Sequence, residues 1–307
     1  MIDILMATYN GETFLRAQLD SILQQSNQDW RLIIRDDCST DATVQIIKEY
    51  QLLRPEQIRL IRAEQPSGSA QNNFFQLLQY STAEYVMFAD QDDVWLKDKV
   101  QNTLEKMREL EEQYGAETPL LVHTDLAVVD AALRVINPSL FQMHNMDAAR
   151  NQLNNIVVQN IVTGCTMMVN RALLDLVTET PAHAVMHDMW LALVAAAFGQ
   201  IGFLDRATML YRQHGQNVKG AQDMRSLLFI AEKLGELKKI KRTLSEKYQQ
   251  AEEFLDIYQM ILSLQQRQIL QAYSLLGQQP IWKKYQVLKK YQLYMKGIIR
   301  NLGQILL

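Results

Sequence analysis

Tyr85-Val86-Met87-Phe88-Ala89-Asp90-Gln91-Asp92-Asp93 is the stretch that decides how this chain is read. Five apolar residues make a short buried strand, and three carboxylates follow with one glutamine among them. A strand ending in clustered carboxylates delivers hard oxygen ligands to the rim of a sheet, where a divalent cation can grip a diphosphate. A solvated turn or a helix cap has the same composition, and Asp93 could cap a helix beginning near Leu96. What favours a site is the surrounding pattern. Ala7-Thr8-Tyr9-Asn10-Gly11 follows the first strand, Asp36-Asp37 follows the second, and His187-Asp188 and His214 come later.

Outward from that stretch, the first half alternates strand and helix periods. Ile2–Thr8 reads as a strand, followed by Phe14, Leu15, Leu19, Ile22 and Leu23 at helical spacing. Residues 30–35 form the second strand, and Ser39, Thr40 and Asp41 offer N-caps for a helix carrying Val44, Ile46, Ile47 and Tyr50. A third strand over 58–63 and a third helix over 72–78 lead to Tyr85–Ala89. Strands separated by helices predict an α/β fold, with a mainly parallel, Rossmann-like central sheet and helices on both faces. Ligands of such sheets bind beyond the carboxyl ends of the strands, where all three polar stretches fall. Further on, Leu120–Val129 and residues 162–169 read as strands, 189–198 as a buried helix, and 201–205 and 208–212 as short strands. Beyond Asn217 helical periodicity takes over. The expected division is therefore a catalytic domain over 1–218 and an all-helical extension over 219–307. Truncation near residue 222 is expected to spare the donor site.

The bulk numbers exclude some classes. Among 307 residues, 48% are hydrophobic and 21% charged, and the net charge of −3 gives no basic field of the kind nucleic-acid binding uses. Cys38 and Cys165 make neither a disulfide framework nor a metal-ligand spacing, which suits a reducing compartment. No basic leader precedes the first strand, and the longest apolar run, 189–198, is about half a bilayer span. A cytoplasmic protein is expected, not integral to a membrane.

Met6-Ala7-Thr8-Tyr9-Asn10-Gly11, Arg35-Asp36-Asp37-Cys38-Ser39-Thr40-Asp41 and Asp90-Gln91-Asp92-Asp93-Val94-Trp95, in this order and spacing, resemble family 2 glycosyltransferases of the GT-A fold. The resemblance covers roughly residues 1 to 218. It implies Mg²⁺ or Mn²⁺ on Asp92, with His214 completing the metal shell and Arg212 assisting the phosphates. Asp90 falls near the ribose, with Gln91 beside it. Asp37 accepts from the imide N–H of a pyrimidine, helix capping being its alternative. Ala7, Thr8, Tyr9 and Asn10 meet the base and ribose, and Glu12 serves that loop or a helix terminus. Asn73 is a nucleotide-side contact or simply a helix start. Asp188 is implied as the general base of an inverting transfer, since a carboxylate facing an acceptor hydroxyl can take its proton. The bland reading of Asp188 is a favourable charge in the first turn of a helix. His187 orients Asp188 or only packs, and Gly164, Cys165 and Trp190 fall on the acceptor side.

Within that family, Asp-Gln-Asp-Asp-Val-Trp, His-Asp-Met-Trp and Tyr-Arg-Gln-His-Gly-Gln-Asn look most like bacterial rhamnosyltransferases of cell-wall and capsular polysaccharide assembly. The likeness implies a dTDP-β-L-rhamnose donor and a glycan or lipid-linked acceptor. A UDP-sugar donor, a catalytically silent scaffold and a nucleotidyltransferase are the alternatives. From Pro280 onward the tail carries Lys283, Lys284, Lys289, Lys290, Lys296 and Arg300 with no acidic residue. Trp282, Tyr285, Leu288, Tyr291, Met295, Ile298 or Ile299, Leu302 and Ile305 recur among them at three- to four-residue spacing. Such a helix suits an anionic lipid surface at the inner face of the membrane, a partner helix in a homo-oligomer, or packing onto its own catalytic domain.

Overall fold

A computed structural model describes residues 1–214 and 237–306. Strands β1 (Ile2–Thr8), β2 (Trp30–Asp36), β3 (Ile58–Arg62) and β4 (Tyr85–Ala89) are connected through α1 (Leu15–Leu23), α2 (Thr43–Leu53) and α3 (Ala70–Leu78). Then come β5 (Val94–Trp95), α4 (Lys99–Tyr114), β6 (Leu120–Val129), β7 (Val135–Asn137), α5 (Leu140–Met143) and α6 (Leu153–Ile156). The chain continues through β8 (Met168–Asn170), α7 (Arg171–Leu174), α8 (His187–Phe198) and β9 (Gln200–Arg212). Four further helices follow: α9 (Leu237–Tyr258), α10 (Leu264–Ser274), α11 (Ile281–Tyr291) and α12 (Ile298–Leu306).

Among the described residues one sheet runs β3-β2-β1-β4-β8-β6-β9-β5, with β7 beside β6. The long pairings, β1 with β2 and β4, β2 with β3, and β6 with β9, are parallel, whereas the antiparallel ones span only two or three residues. This is the mainly parallel α/β architecture expected from the alternation of strands and helices. β4 is buried from end to end, as expected of a strand covered on both faces. Asp3, the only charge in β1, is fully buried and accepts from Arg31, Ser81 Oγ and the backbone N–H groups of Thr82 and Ala83. A buried carboxylate persists only with such a full set of donors.

Three local readings change. Over 162–169, Gly164–Thr166 is a 3₁₀ turn and the strand is confined to Met168–Asn170, because β4 and β6 pair with the segment only there. Residues 200–212 form one strand rather than two, its register against β6 shifting around Thr124 and Asp125. The helix expected near Leu96 begins at Lys99, because Val94 and Trp95 pair with Leu210 and Met209.

Two compact units are present. Of the described residues, 1–140, 162–180 and 200–214 form the unit that carries the sheet. The second unit gathers 141–161, 181–199 and 237–306. Two segments before residue 218 thus join the C-terminal helices, and α8 shows why. It is apolar nearly all round, so it needs cover on every side. Trp190 meets Phe254 edge to face at 5.3 Å, and Phe198 lies 5.3 Å from Tyr258. The lead-in to α8 hangs on α9: Ala182 and His183 donate backbone N–H groups to the Glu253 carboxylate, and Val185 donates to Gln250 Oε1. Residues 150–159 are tied in likewise, with Lys296 N–H donating to Gln159 Oε1 at 2.7 Å.

Candidate active site

Chain order reverses between β1 and β4, with β2 on one side of β1 and β4 on the other. Open α/β sheets place their ligands at the carboxyl ends of strands at such a switch point. The loop after β1 and the acidic turn after β4 meet there. Gln91 Oε1 accepts the Tyr9 N–H at 2.9 Å, and Gln91 Nε2 donates to the Tyr9 carbonyl at 3.0 Å. The amide lies so close to Gly11 that a Cβ there would sit 2.3 Å from Gln91 Oε1.

The same loop is stitched to the start of α2. Asn10, at φ 46°, takes the left-handed conformation that asparagine tolerates. Its N–H donates to Ser39 Oγ and its Oδ1 accepts from the Thr40 N–H, both at 2.9 Å. Glu12 Oε2 accepts the Ala42 N–H at 2.8 Å, so this carboxylate serves the terminus of α2 rather than of α1. Thr8 is buried and donates its hydroxyl to Asp36. Ala7 is half-buried, and the Tyr9 side chain is the large apolar surface this loop presents, 58% exposed.

Asp37 is held in a clamp. Its Oδ1 accepts from Arg35 at 3.0 Å and from the Ser67 N–H at 2.8 Å, and its Oδ2 accepts from Ser67 Oγ at 2.8 Å. Arg35 in turn donates to Asn73 Oδ1 at 2.7 Å. Asn73 is 2% exposed and does not start its helix, whose N-cap is Ser69. Its amide holds the arginine, also donating from Nδ2 to the Arg35 carbonyl at 3.3 Å. The sequence singled out Asp37 and Asn73, but neither Arg35 nor Ser67, which join them. A carboxylate oxygen accepts two hydrogen bonds, so Asp37 Oδ2 keeps acceptor capacity beyond Ser67.

Beyond β4, Asp92 Oδ2 lies 2.8 Å from His214 Nε2, and both side chains are partly exposed. His214 arrives from 122 positions away because β9 pairs with β5 directly after the acidic turn. Phe14 braces it, with ring centroids 4.8 Å apart, and the Arg212 guanidinium lies 4.5 Å over the same phenyl ring. Phe14 carried no polar signal in the sequence.

Arg212 differs from its expected phosphate role. It is 4% exposed, donating from Nε to the Asp92 carbonyl at 2.8 Å and from Nη1 to the Ala131 carbonyl, while its N–H donates to Asp93 Oδ1 at 3.0 Å. It buckles the acidic turn from behind. Asp93 is fully buried and is not an N-cap, since α4 begins after Asp98. Burial, then Asp90 and Asp92, hold its carboxyl well above the usual carboxylate range. Cys165, 2% exposed, lies in the same buried cluster, and burial followed by Asp93 pushes its thiol up. Its surroundings are this cluster rather than an acceptor surface, and Gly164 beside it is buried in the same 3₁₀ turn. Lys99 is fully buried too, its ammonium 4.9 Å over the Trp95 ring and pulled down to about 8 by burial.

The remaining residues belong to the helical unit. Asp188 is half-buried in the first turn of α8, and His187 beside it is buried. Trp190 is 1% exposed among Phe254 and Tyr258, so it is core of that unit and has no surface to offer an acceptor.

Residues 3–174, more than half the chain, match the model of Glycosyl transferase family 2. The chain is a family 2 glycosyltransferase. It is 31% identical to the dTDP-rhamnosyl transferase RfbG of Shigella flexneri over 228 residues, covering 70% of this chain and 74% of RfbG. It is 24% identical to the UDP-Glc:alpha-D-GlcNAc-diphosphoundecaprenol beta-1,3-glucosyltransferase WfgD of Escherichia coli over 197 residues, covering 63% of this chain and 70% of WfgD. Among solved structures, S. aureus TarS 1-349 in complex with UDP-GlcNAc superposes with a TM-score of 0.56 at 17% identity, covering 95% of this chain and 89% of TarS 1-349. That likeness establishes the shared fold. No helix among the described residues is long and apolar enough to cross a membrane.

Proposed function

We propose that this protein is an inverting, metal-dependent glycosyltransferase of bacterial surface polysaccharide synthesis. It moves L-rhamnose from dTDP-β-L-rhamnose onto a glycan or lipid-linked saccharide. The observation that carries the reading is the Asp92–His214 pair, 2.8 Å apart at the sheet rim. Two neighbouring ligands of one octahedral ion with bonds of about 2.1 Å lie about 3.0 Å apart, so this pair fits a shared cation. The buried Asp93–Cys165 side of the cluster fits less well, because a protonated thiol is a poor ligand for a hard ion. Asp92 and His214 would hold Mn²⁺ or Mg²⁺, and the imidazole favours Mn²⁺. A cation there offsets the charge that develops on the departing diphosphate.

The chain's own residues supply the rest. Asp37, held in place by Arg35 and Ser67, would accept from the imide N–H of thymine. Tyr9 offers an exposed ring near the base. Asp188 would take the proton of the acceptor hydroxyl as that oxygen bonds to the anomeric carbon and the bond from that carbon to the diphosphate oxygen breaks, turning a β-L donor into an α-L product. The rhamnose donor is supported by the similarity to RfbG. A UDP-hexose donor is the second reading, supported by the similarity to WfgD, whose name gives UDP-Glc.

The test is calorimetric binding of dTDP-rhamnose, UDP-glucose, UDP-galactose and UDP-N-acetylglucosamine with and without Mn²⁺. Manganese-dependent preference for dTDP-rhamnose is expected. Preference for a UDP-sugar replaces the donor, and binding of none contradicts the enzyme reading. Asp188→Asn should abolish transfer while leaving donor affinity within about threefold. Collapse of donor binding with surviving transfer would refute its role as the base.

A further inference from the structure

In α11 the tail's apolar pattern divides between two faces. Lys284 and Leu288 turn inward, 5% and 0% exposed. Ile281, Trp282 and Tyr285 remain outside at 55%, 63% and 52% exposure. At 3.6 residues per turn, Ile281, Tyr285, Lys289 and Trp282 fall within about 100° of the helix circumference. Lys283 and Lys290, both exposed, lie about 80–100° further round the helix on the Trp282 side. The outer face of α11 is therefore aromatic and basic together. Leu302 and Leu306, one turn apart on α12, are also exposed at 49% and 64%.

We infer that the outer face of α11 docks the protein on an anionic bilayer surface. Trp and Tyr prefer the headgroup level, where a ring can be part buried and its polar edge wet, and lysines beside them meet lipid phosphates. The region from Pro280 to the last residue holds six cations and no acid, and Lys283, Lys289 and Lys290 among them are exposed, which matches a negative surface. A second copy of the chain fits less well. A twofold interface sets the same patch against itself, so these lysines would face one another with no carboxylate to pair with. None of these residues belongs to the donor site, so the inference stands or falls independently of the choice of sugar.

The test is sedimentation of the full chain with vesicles of phosphatidylcholine alone and of equimolar phosphatidylglycerol and phosphatidylcholine. Binding is expected only to the mixed vesicles, weakening as salt is raised. Each lysine near such a surface contributes about fivefold in partition, so replacing Lys283, Lys289 and Lys290 by glutamine should weaken binding about a hundredfold. Trp282→Ser with Tyr285→Ser should weaken it tenfold or more. Both variants alter exposed side chains, so melting temperature and turnover of a soluble acceptor should not change. Absence of wild-type binding, or binding untouched by either variant, overturns the inference. So does loss of a dimer, seen by sedimentation velocity, with vesicle binding intact, which would make this face a self-interface.

Discussion

The side-chain amide of Gln91 pairs with the backbone of Tyr9 through two hydrogen bonds, at 2.9 and 3.0 Å, as one strand pairs with the next. A middle residue of the acidic turn is thereby spliced to the loop after β1. Position 91 fixes the placement of that loop.

Gly11→Ala and Gln91→Ala break this contact from opposite sides. A methyl at position 11 collides with the Gln91 amide, while truncating Gln91 leaves the Tyr9 backbone groups to water. Each alone should raise the donor KM severalfold. The pair should be clearly less than additive, because truncating Gln91 clears the room the new methyl needs. A double-mutant cycle on donor affinity checks this, and full additivity would mean that the two residues do not share a contact.

Arg35 faces Asp37 at 3.0 Å with both side chains buried. Removing one partner of such a pair strands the other charge, at a cost of about 3–5 kcal/mol. Arg35→Met should lower stability by about that much in urea unfolding and weaken nucleotide binding. Asn73→Leu, which removes the support behind Arg35, should do both more mildly. Unchanged nucleotide affinity in a folded Arg35→Met protein would detach the clamp from binding.

The C-terminal helices are not removable as an appendage. Trp190, Leu191 and Leu193 are at most 1% exposed within the unit that α9 helps to build. Ending the chain near residue 222 uncovers them, along with the Phe254 and Tyr258 side of α8. The truncated protein should aggregate or lose its cooperative melting transition. A soluble, cooperatively melting fragment 1–222 would contradict this and favour the simpler division at residue 218.

His123 lies wholly buried on β6, 5.0 Å from the Phe203 ring, and burial lowers its pKa to about 3. The unfolded chain takes up a proton near pH 6.5, whereas the folded chain does so only near 3. Between those values the unfolded state binds more protons, so stability is full above about 6.5 and is lost as pH falls, by up to about 1.4 kcal/mol per pH unit. His123→Phe should flatten this acid limb in unfolding measured from pH 7 to 4.5. An identical limb in the variant would move the dependence to another group.

The strands β1, β4 and β6 were legible to the residue because β4 is a continuous apolar run bounded by polar turns, and Asp3 in β1 and His123-Thr124-Asp125 in β6 interrupt theirs only briefly. The short pairings were not: β5 is two residues long and takes its shape from β9, more than 110 residues later. Site residues with a charge in the right place, such as Asp37 and Asp92, stood out. The partners that hold them did not, because Arg35 and Phe14 sit inside strand and helix patterns, where they read as ordinary members. The hold of Arg212 on the Asp92 and Ala131 carbonyls was hidden for the related reason that spacing does not show where a guanidinium turns. Trp190, which the resemblance implied on the acceptor side, is core, because Phe254 and Tyr258 of α9 pack against it.

The central claim is that Asp92 and His214 share a cation at the donor site. Mn²⁺ binding followed by electron paramagnetic resonance, with dTDP present, tests it most directly. One equivalent of bound Mn²⁺ is expected in the wild type, with affinity falling at least tenfold in both Asp92→Asn and His214→Ala. Stoichiometric Mn²⁺ binding that neither substitution weakens would contradict the claim.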